Sequence, residues 1–215
     1  MFGEQAWLTR IIWVLLLALA AWALLTFRWS LAFVALMTLA LSMAPVLLAR
    51  WVQVTVPPGF VAAIVLFLSG TLFLGESFDF YNRFWWWDIA MHGGSAVGFG
   101  LIGFVLIFMM FQGDRFAAPH VVIAFFAFCF AMTVGAMWEI FEFVMDQLFG
   151  LNMQKSGLLD TMGDLIVDTA GALFGAACGW LYLKGQDYGG PVRMIDDFVK
   201  RNPRFFRRHR PHKDD

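Results

Sequence analysis

Residues 158–183 read LLDTMGDLIVDTAGALFGAACGWLYL, and the reading of this segment governs the rest of the chain. At 1.5 Å per residue it is long enough, as a helix, to cross the roughly 30 Å hydrocarbon core of a bilayer. Its first half nevertheless carries Asp160, Asp164 and Asp168 at intervals of four, which puts all three on one helical face. Its second half carries Gly171, Gly175 and Gly179 at the same interval, flanked by Ala172 and Ala176. Such a small-residue stripe lets a neighbouring backbone approach closely. The segment is therefore expected to be a membrane helix, acidic at one end and tightly packed at the other.

The whole chain has the same character. Of 215 residues, 60% are hydrophobic and 14% charged, with 25 Phe and 10 Trp, and the mean hydropathy is +0.71. Soluble domains sit nearer about 45–50% apolar and about 25% charged. These figures exclude a soluble cytosolic enzyme, a disordered chain, a nucleic-acid module and a disulfide scaffold. Cys129 and Cys178 lie in apolar runs without a CxxC spacing and read as small buried hydrophobes. Six stretches reach span length, at about residues 7–27, 31–49, 59–74, 88–111, 117–144 and 158–183. The first is too long for a signal-peptide core and is followed almost at once by the second, so it reads as a span. The expected fold class is all-α: a polytopic membrane protein with six transmembrane helices over residues 1–184, then a basic tail over 185–215.

The net charge of −1 conceals an asymmetry. Residues 1–192 hold 7 Lys/Arg against 12 Asp/Glu, whereas 193–215 hold 8 against 4. With six spans both termini share a side, which would carry Arg10, Arg50, Arg115 and the nine bases from Lys184 onward. Arg28, Arg83 and Lys155 would lie opposite. The positive-inside rule then puts both termini in the cytoplasm. The connection ESFDFYNRFWWW at 76–87 is too aromatic for a solvated loop. It reads as an interfacial belt, with a lid over a site as the other reading. The tail joins its bases to Phe198, Phe205 and Phe206. It is expected to lie on anionic lipid headgroups, not on nucleic acid.

Ionisable groups inside spans are costly, about 2.5–3.5 kcal/mol each on insertion scales, and mark function. Asp88 and His92 are four apart at the start of the fourth span. Glu139, Glu142 and Asp146 are three and four apart near the end of the fifth, opposite the acidic row of the sixth. Topology brings all three stripes to the outer half of the membrane. One imidazole and up to seven carboxylates can thus converge, with Arg83 and Lys155 as the local bases. So many carboxylates must hold protons, pair with bases or bind cations. A divalent metal is the economical solution. Carboxylates with one His suit Zn, Mn or Fe, and an all-oxygen subset suits Mg or Ca. The expected ligands are His92, Glu139, Asp164 and Asp168, with Glu142 or Asp88 as general base. Each has a structural alternative: Asp88 as a helix cap, His92 as a hydrogen-bonded neighbour of Asp88, Asp146 and Asp160 as solvated ends. The sixth span is expected to pack tightly against the fourth, which carries Gly93, Gly94, Ser95, Gly98, Gly100 and Gly103.

The run FYNRFWWWDIAMH, then AMWEIFEFVMDQLFG, then LNMQKSGLLDTMGDLIVDTAGA resembles the YjdF-type bacterial inner-membrane family, a domain family of unknown function. The resemblance covers roughly residues 60–184 and implies a polytopic bacterial membrane protein. A fainter similarity is to VanZ-like membrane proteins, with Asp88, His92, Glu139 and Asp164 at the matching positions. Asp168 departs from that pattern, where those proteins often have Asn. Three functions stay open: a metal-dependent hydrolase on a lipid-linked or phosphorylated substrate, a proton or metal-ion transporter, and a non-catalytic metal- or lipid-binding component. Against transport stand an apolar inner half and the lack of an inverted repeat.

Overall fold

A computed structural model describes residues 6–111, 118–186 and 188–206, the side chain of Arg50 excepted. Arg115, the 112–116 connection, Ala117 at the expected start of the fifth span and the last bases of the tail lie outside the described residues. Within them the regular structure is helical: α1 (Trp7–Leu25), α2 (Trp29–Trp51), α3 (Pro58–Leu68), α4 (Phe80–Arg83), α5 (Trp87–Met110), α6 (His120–Phe149), α7 (Leu158–Leu183) and α8 (Gly190–Arg201). Six helices are long and apolar enough to cross a membrane. The all-α, six-span expectation therefore stands.

The chain divides into two compact units, Met1–Met91 and His92–Asp215. In the first, α1 to α3 bury Trp13, Leu16, Leu39, Val46, Val61 and Val65 together. The Trp13 indole N–H, an expensive donor to leave dry, donates to Ser42 Oγ at 3.0 Å, and Ser42 passes its own hydrogen to the Leu39 carbonyl at 2.8 Å. The third span runs past its expected end at residue 74. Its helix widens into a π-helical stretch, Ser69–Ser77, in which the Thr71 hydroxyl donates to the Phe67 carbonyl at 3.1 Å. The aromatic connection then packs back on this stretch. Tyr81 lies against Gly75, and the Trp87 indole donates to the Gly70 carbonyl at 3.3 Å. Phe80 stacks edge-on to both Phe84 and Trp87 at 4.9 Å, while Trp85 stays 82% exposed. A cluster half packed and half exposed suits the membrane boundary better than a lid.

In the second unit the glycine stripe of α7 seats directly on α5. A Cβ on Gly171 would come 2.7 Å from the Gly93 carbonyl oxygen, and one on Gly175 would come 3.0 Å from the Gly100 Cα. Gly179 takes the Phe104 ring. Gly103, on another face of α5, receives Phe130 of α6. The sequence of α5 and α7 thus builds backbone-to-backbone contact, the packing that lipid-embedded helices rely on. Past α7, the helix α8 folds onto the same unit and buries Val192, Ile195 and Phe198.

Candidate functional site

The close seating of α7 on α5 fixes where the acids of α7 fall. His92 lies one residue before Gly93 on α5, and Asp164 and Asp168 lie seven and three residues before Gly171 on α7. All three side chains are buried, as are Glu139 and Glu142 on α6. His92 Nδ1 stands 3.4 Å from Asp168 Oδ1 and 3.9 Å from Glu139 Oε1; its Nε2 stands 3.9 Å from Asp164 Oδ2. One imidazole therefore meets carboxylates on both ring nitrogens, drawn from two other helices.

The carboxylates differ in what else they touch. Among the described residues, both oxygens of Asp168 are buried without a hydrogen-bond partner, and those of Glu139 are buried with only the Thr161 hydroxyl near enough to contribute. Buried carboxylates in that condition are rare, because desolvation is not offset by anything else. The spacing of the donors fits a metal. Two ligands each about 2.1 Å from one ion lie about 3.0–3.4 Å apart at ordinary coordination angles, close to the Nδ1–Oδ1 separation. A carboxylate on Nε2, such as Asp164, is the usual second partner of a metal-binding imidazole, fixing its tautomer and tilt. The Asp168 carboxylate also has a built recess: it lies against Gly135 of α6, where any Cβ would meet it.

Other expected residues have roles of their own. Asp88 is half-buried in the first turn of α5, four residues before His92 in sequence. Glu142 accepts a hydrogen bond from the Trp138 indole at 2.9 Å, one turn back on α6. Asp146 was open to a solvated reading, and the structure gives it a different task. Its two oxygens accept the backbone N–H groups of Met153 and Gln154 at 2.7 and 2.9 Å. Asp160 accepts the Lys155 N–H at 3.1 Å. Gly150, in the left-handed region at φ 64°, ends α6 and lets the chain turn into this loop. The Gln154 amide then donates to Thr161 Oγ1 at 2.5 Å, pinning the loop to the first turn of α7.

Asp146 is thus a loop organiser. Asp146→Ala is expected to speed amide exchange at Met153 and Gln154 at least ten-fold and to cost about 1–3 kcal/mol, the range for charge-assisted bonds to a carboxylate. Exchange mass spectrometry of this loop checks it; unchanged protection there would refute the role.

The sequence reading missed Gly135, Trp138 and the Gln154–Thr161 bridge. Gly135 had a signal: it stands four residues before Glu139, on the same face of α6. On the far side of Asp168 from the site mouth, the interior turns apolar. Gly175 abuts Gly100, Phe104 fills the space at Gly179, and Phe104 stacks on Phe108, which meets Tyr182 edge-on at 6.0 Å.

Residues 8–185 match the family model described as a predicted membrane protein, DUF2238. That span agrees with the YjdF-type resemblance and extends it over the first two helices. An uncharacterized protein of Thermotoga maritima is 32% identical over 112 residues, 49% of this chain and 56% of that relative. The chain thus spans a little over half the length of the relative it matches. No solved structure matches it.

Proposed function

We propose that this chain, which belongs to the DUF2238 family of membrane proteins, binds a divalent metal ion through His92, Glu139 and Asp168, with Asp164 facing the other ring nitrogen, and uses it to hydrolyse a phosphorylated or lipid-linked substrate. The observation that carries this reading is the pair of buried Asp168 oxygens without hydrogen-bond partners among the described residues, together with the buried Glu139 carboxylate, beside the His92 imidazole. A dication offsets their desolvation where a neutral neighbour does not. A mixed imidazole–carboxylate set suits Zn, Mn or Fe, and Mg through the carboxylates alone.

When bound, such an ion lowers the pKa of a coordinated water and polarises a phosphoryl oxygen. The chain's own residues would do the rest. Asp164 on Nε2 holds the imidazole in the tautomer whose Nδ1 is free to coordinate. Glu142, held by Trp138, and Asp88, one turn from His92, are the carboxylates for general-base work. Under the positive-inside orientation the site opens in the outer half of a bacterial inner membrane, at the level of lipid headgroups. Lys155 on the nearby loop supplies positive charge for an anionic substrate.

Transport is the second reading, since intramembrane acids are common along ion paths. The packing inward of Asp168 speaks against it: Gly175 abuts Gly100, and the Phe104 and Phe108 rings fill the space beyond, with no carboxylate among them.

The test is metal analysis of purified protein beside Asp168→Asn and Asp164→Asn. The expected result is about one tightly held ion per wild-type chain after chelation and reloading, and a loss of at least ten-fold in affinity in Asp168→Asn. Phosphate release from a lipid-linked pyrophosphate should follow metal occupancy. Wild-type protein that takes up no ion refutes the metal site. Metal-dependent flux into sealed vesicles without turnover would favour transport.

A further inference from the structure

The helix α8 shows two faces. Val192, Ile195, Phe198 and, just beyond the helix, Asn202 and Phe206 are buried, at the spacing of one helical edge. They close over the cytoplasm-proximal ends of α5 and α7, as the orientation above assigns them. Phe206 lies 5.5 Å from Phe108 and 6.1 Å from Phe198, and Phe108 meets Tyr182. The Asn202 amide donates to the Phe198 carbonyl at 2.8 Å and stops the helix. The aromatic residues that the sequence offered to the bilayer are therefore spent largely on the protein.

Opposite runs an exposed row at Arg193, Asp197, Lys200, Arg201 and Arg204, spaced four, three, one and three apart. Four of the five are basic. Asp196 flanks the row and pairs with Lys200. That carboxylate, by hydrogen bond and charge, holds the Lys200 amine above the usual lysine range. From 193 to 204 the balance is four bases less two acids, or +2.

The level of this row follows from α7. That helix ends at Leu183, and Lys184 curls back so that Nζ lies 3.8 Å over the Trp180 ring, an arrangement suited to the lipid–water boundary. Because α8 is seated on Phe108 and Tyr182, within the last turns of two spans, its basic row lies along that boundary.

We propose that this row is a docking surface for anionic phospholipid headgroups, bound by charge alone because the apolar edge of α8 is already buried in the protein. An inserting amphipathic helix would resist salt through its apolar face. A helix whose apolar face is taken up elsewhere should release the headgroups when salt screens the row.

The full chain is reconstituted in nanodiscs of phosphatidylcholine alone or of phosphatidylcholine with one quarter phosphatidylglycerol, and amide exchange over 190–204 is followed. At 50 mM salt the anionic discs are expected to slow exchange several-fold, and at 500 mM salt the difference should vanish. The variant Arg193→Gln/Lys200→Gln/Arg201→Gln/Arg204→Gln should show no difference between discs. Its protection at Ile195 in phosphatidylcholine discs reports whether α8 still docks. If it does not, the salt response of the wild type decides alone. Equal exchange in both discs, slowing that survives high salt, or the same slowing produced by 10 mM inorganic phosphate in phosphatidylcholine discs would each overturn the proposal.

Discussion

Replacing Gly135 with alanine is expected to lower the affinity for a divalent metal ion by about 10–100-fold, the cost usual for disturbing a group that supports a ligand, while leaving the protein folded. A Cβ at that position meets Asp168 first at Oδ2, with Cγ at 3.1 Å and Cβ at 3.5 Å. The helix backbone of α6 has no slack to give, since helical hydrogen bonds hold it on both sides. The Asp168 side chain has two rotatable bonds and will swing instead. That motion carries Oδ1 away from His92 Nδ1, now 3.4 Å distant. Stability should not suffer in proportion, because alanine is a better helix former than glycine by about 1 kcal/mol. Gly94→Ala is the control: a Cβ on Gly94 meets nothing within 4 Å. Calorimetric titration with Mn or Zn, with size-exclusion profiles beside it, reads both effects. Wild-type affinity in Gly135→Ala would show that Asp168 is not a ligand held in a recess.

The contrast between Gly135 and Gly175 shows how much of this molecule could be read before its coordinates. Hydropathy set the six spans, because apolar side chains are the ones cheap to place in lipid and a helix satisfies its own backbone there. The four-residue spacing of Gly171, Gly175 and Gly179 announced a tight helix contact, and that contact brings His92 to Asp164 and Asp168. Spacing within a helix thus carried across to geometry between helices. Gly135 has no second glycine at four residues, so the small-residue spacing did not single it out; only its place one turn before Glu139 did. Asp146 and Asp160 shared the spacing of the site acids but went to backbone N–H groups of the 150–157 loop. Loop conformation is set by contacts that one helical face does not encode. The burial of Phe198 and Phe206 was hidden for a related reason, since the sequence does not say that Phe108 ends its helix beside Phe206. The π-helical end of the third span was equally invisible, since it answers to packing by Tyr81 and Trp87.

Gly175→Val should have the largest effect on the fold itself. A Cβ at Gly175 would lie 2.7 Å from the Val97 carbonyl oxygen and 3.0 Å from the Gly100 Cα. Both are backbone atoms of α5, so no rotamer change relieves the clash and the two helices must separate. Helices in lipid gain little from hydrophobic burial and depend on close packing for their association. Separation therefore removes the backbone contact between α5 and α7. Overpacking a soluble core costs about 1–3 kcal/mol when side chains can shift; here none can, and the cost should reach the top of that range or exceed it. The same movement parts His92 from Asp164 and Asp168, so metal binding should fail with the fold. Gly163→Val lies on the same helix, where a Cβ meets nothing within 4 Å, and should purify normally. The pair separates packing from the mere presence of a β-branched residue in α7. Thermal unfolding in detergent is the measurement, and a Gly175→Val protein that melts with the wild type would mean that α5 and α7 do not touch along this stripe.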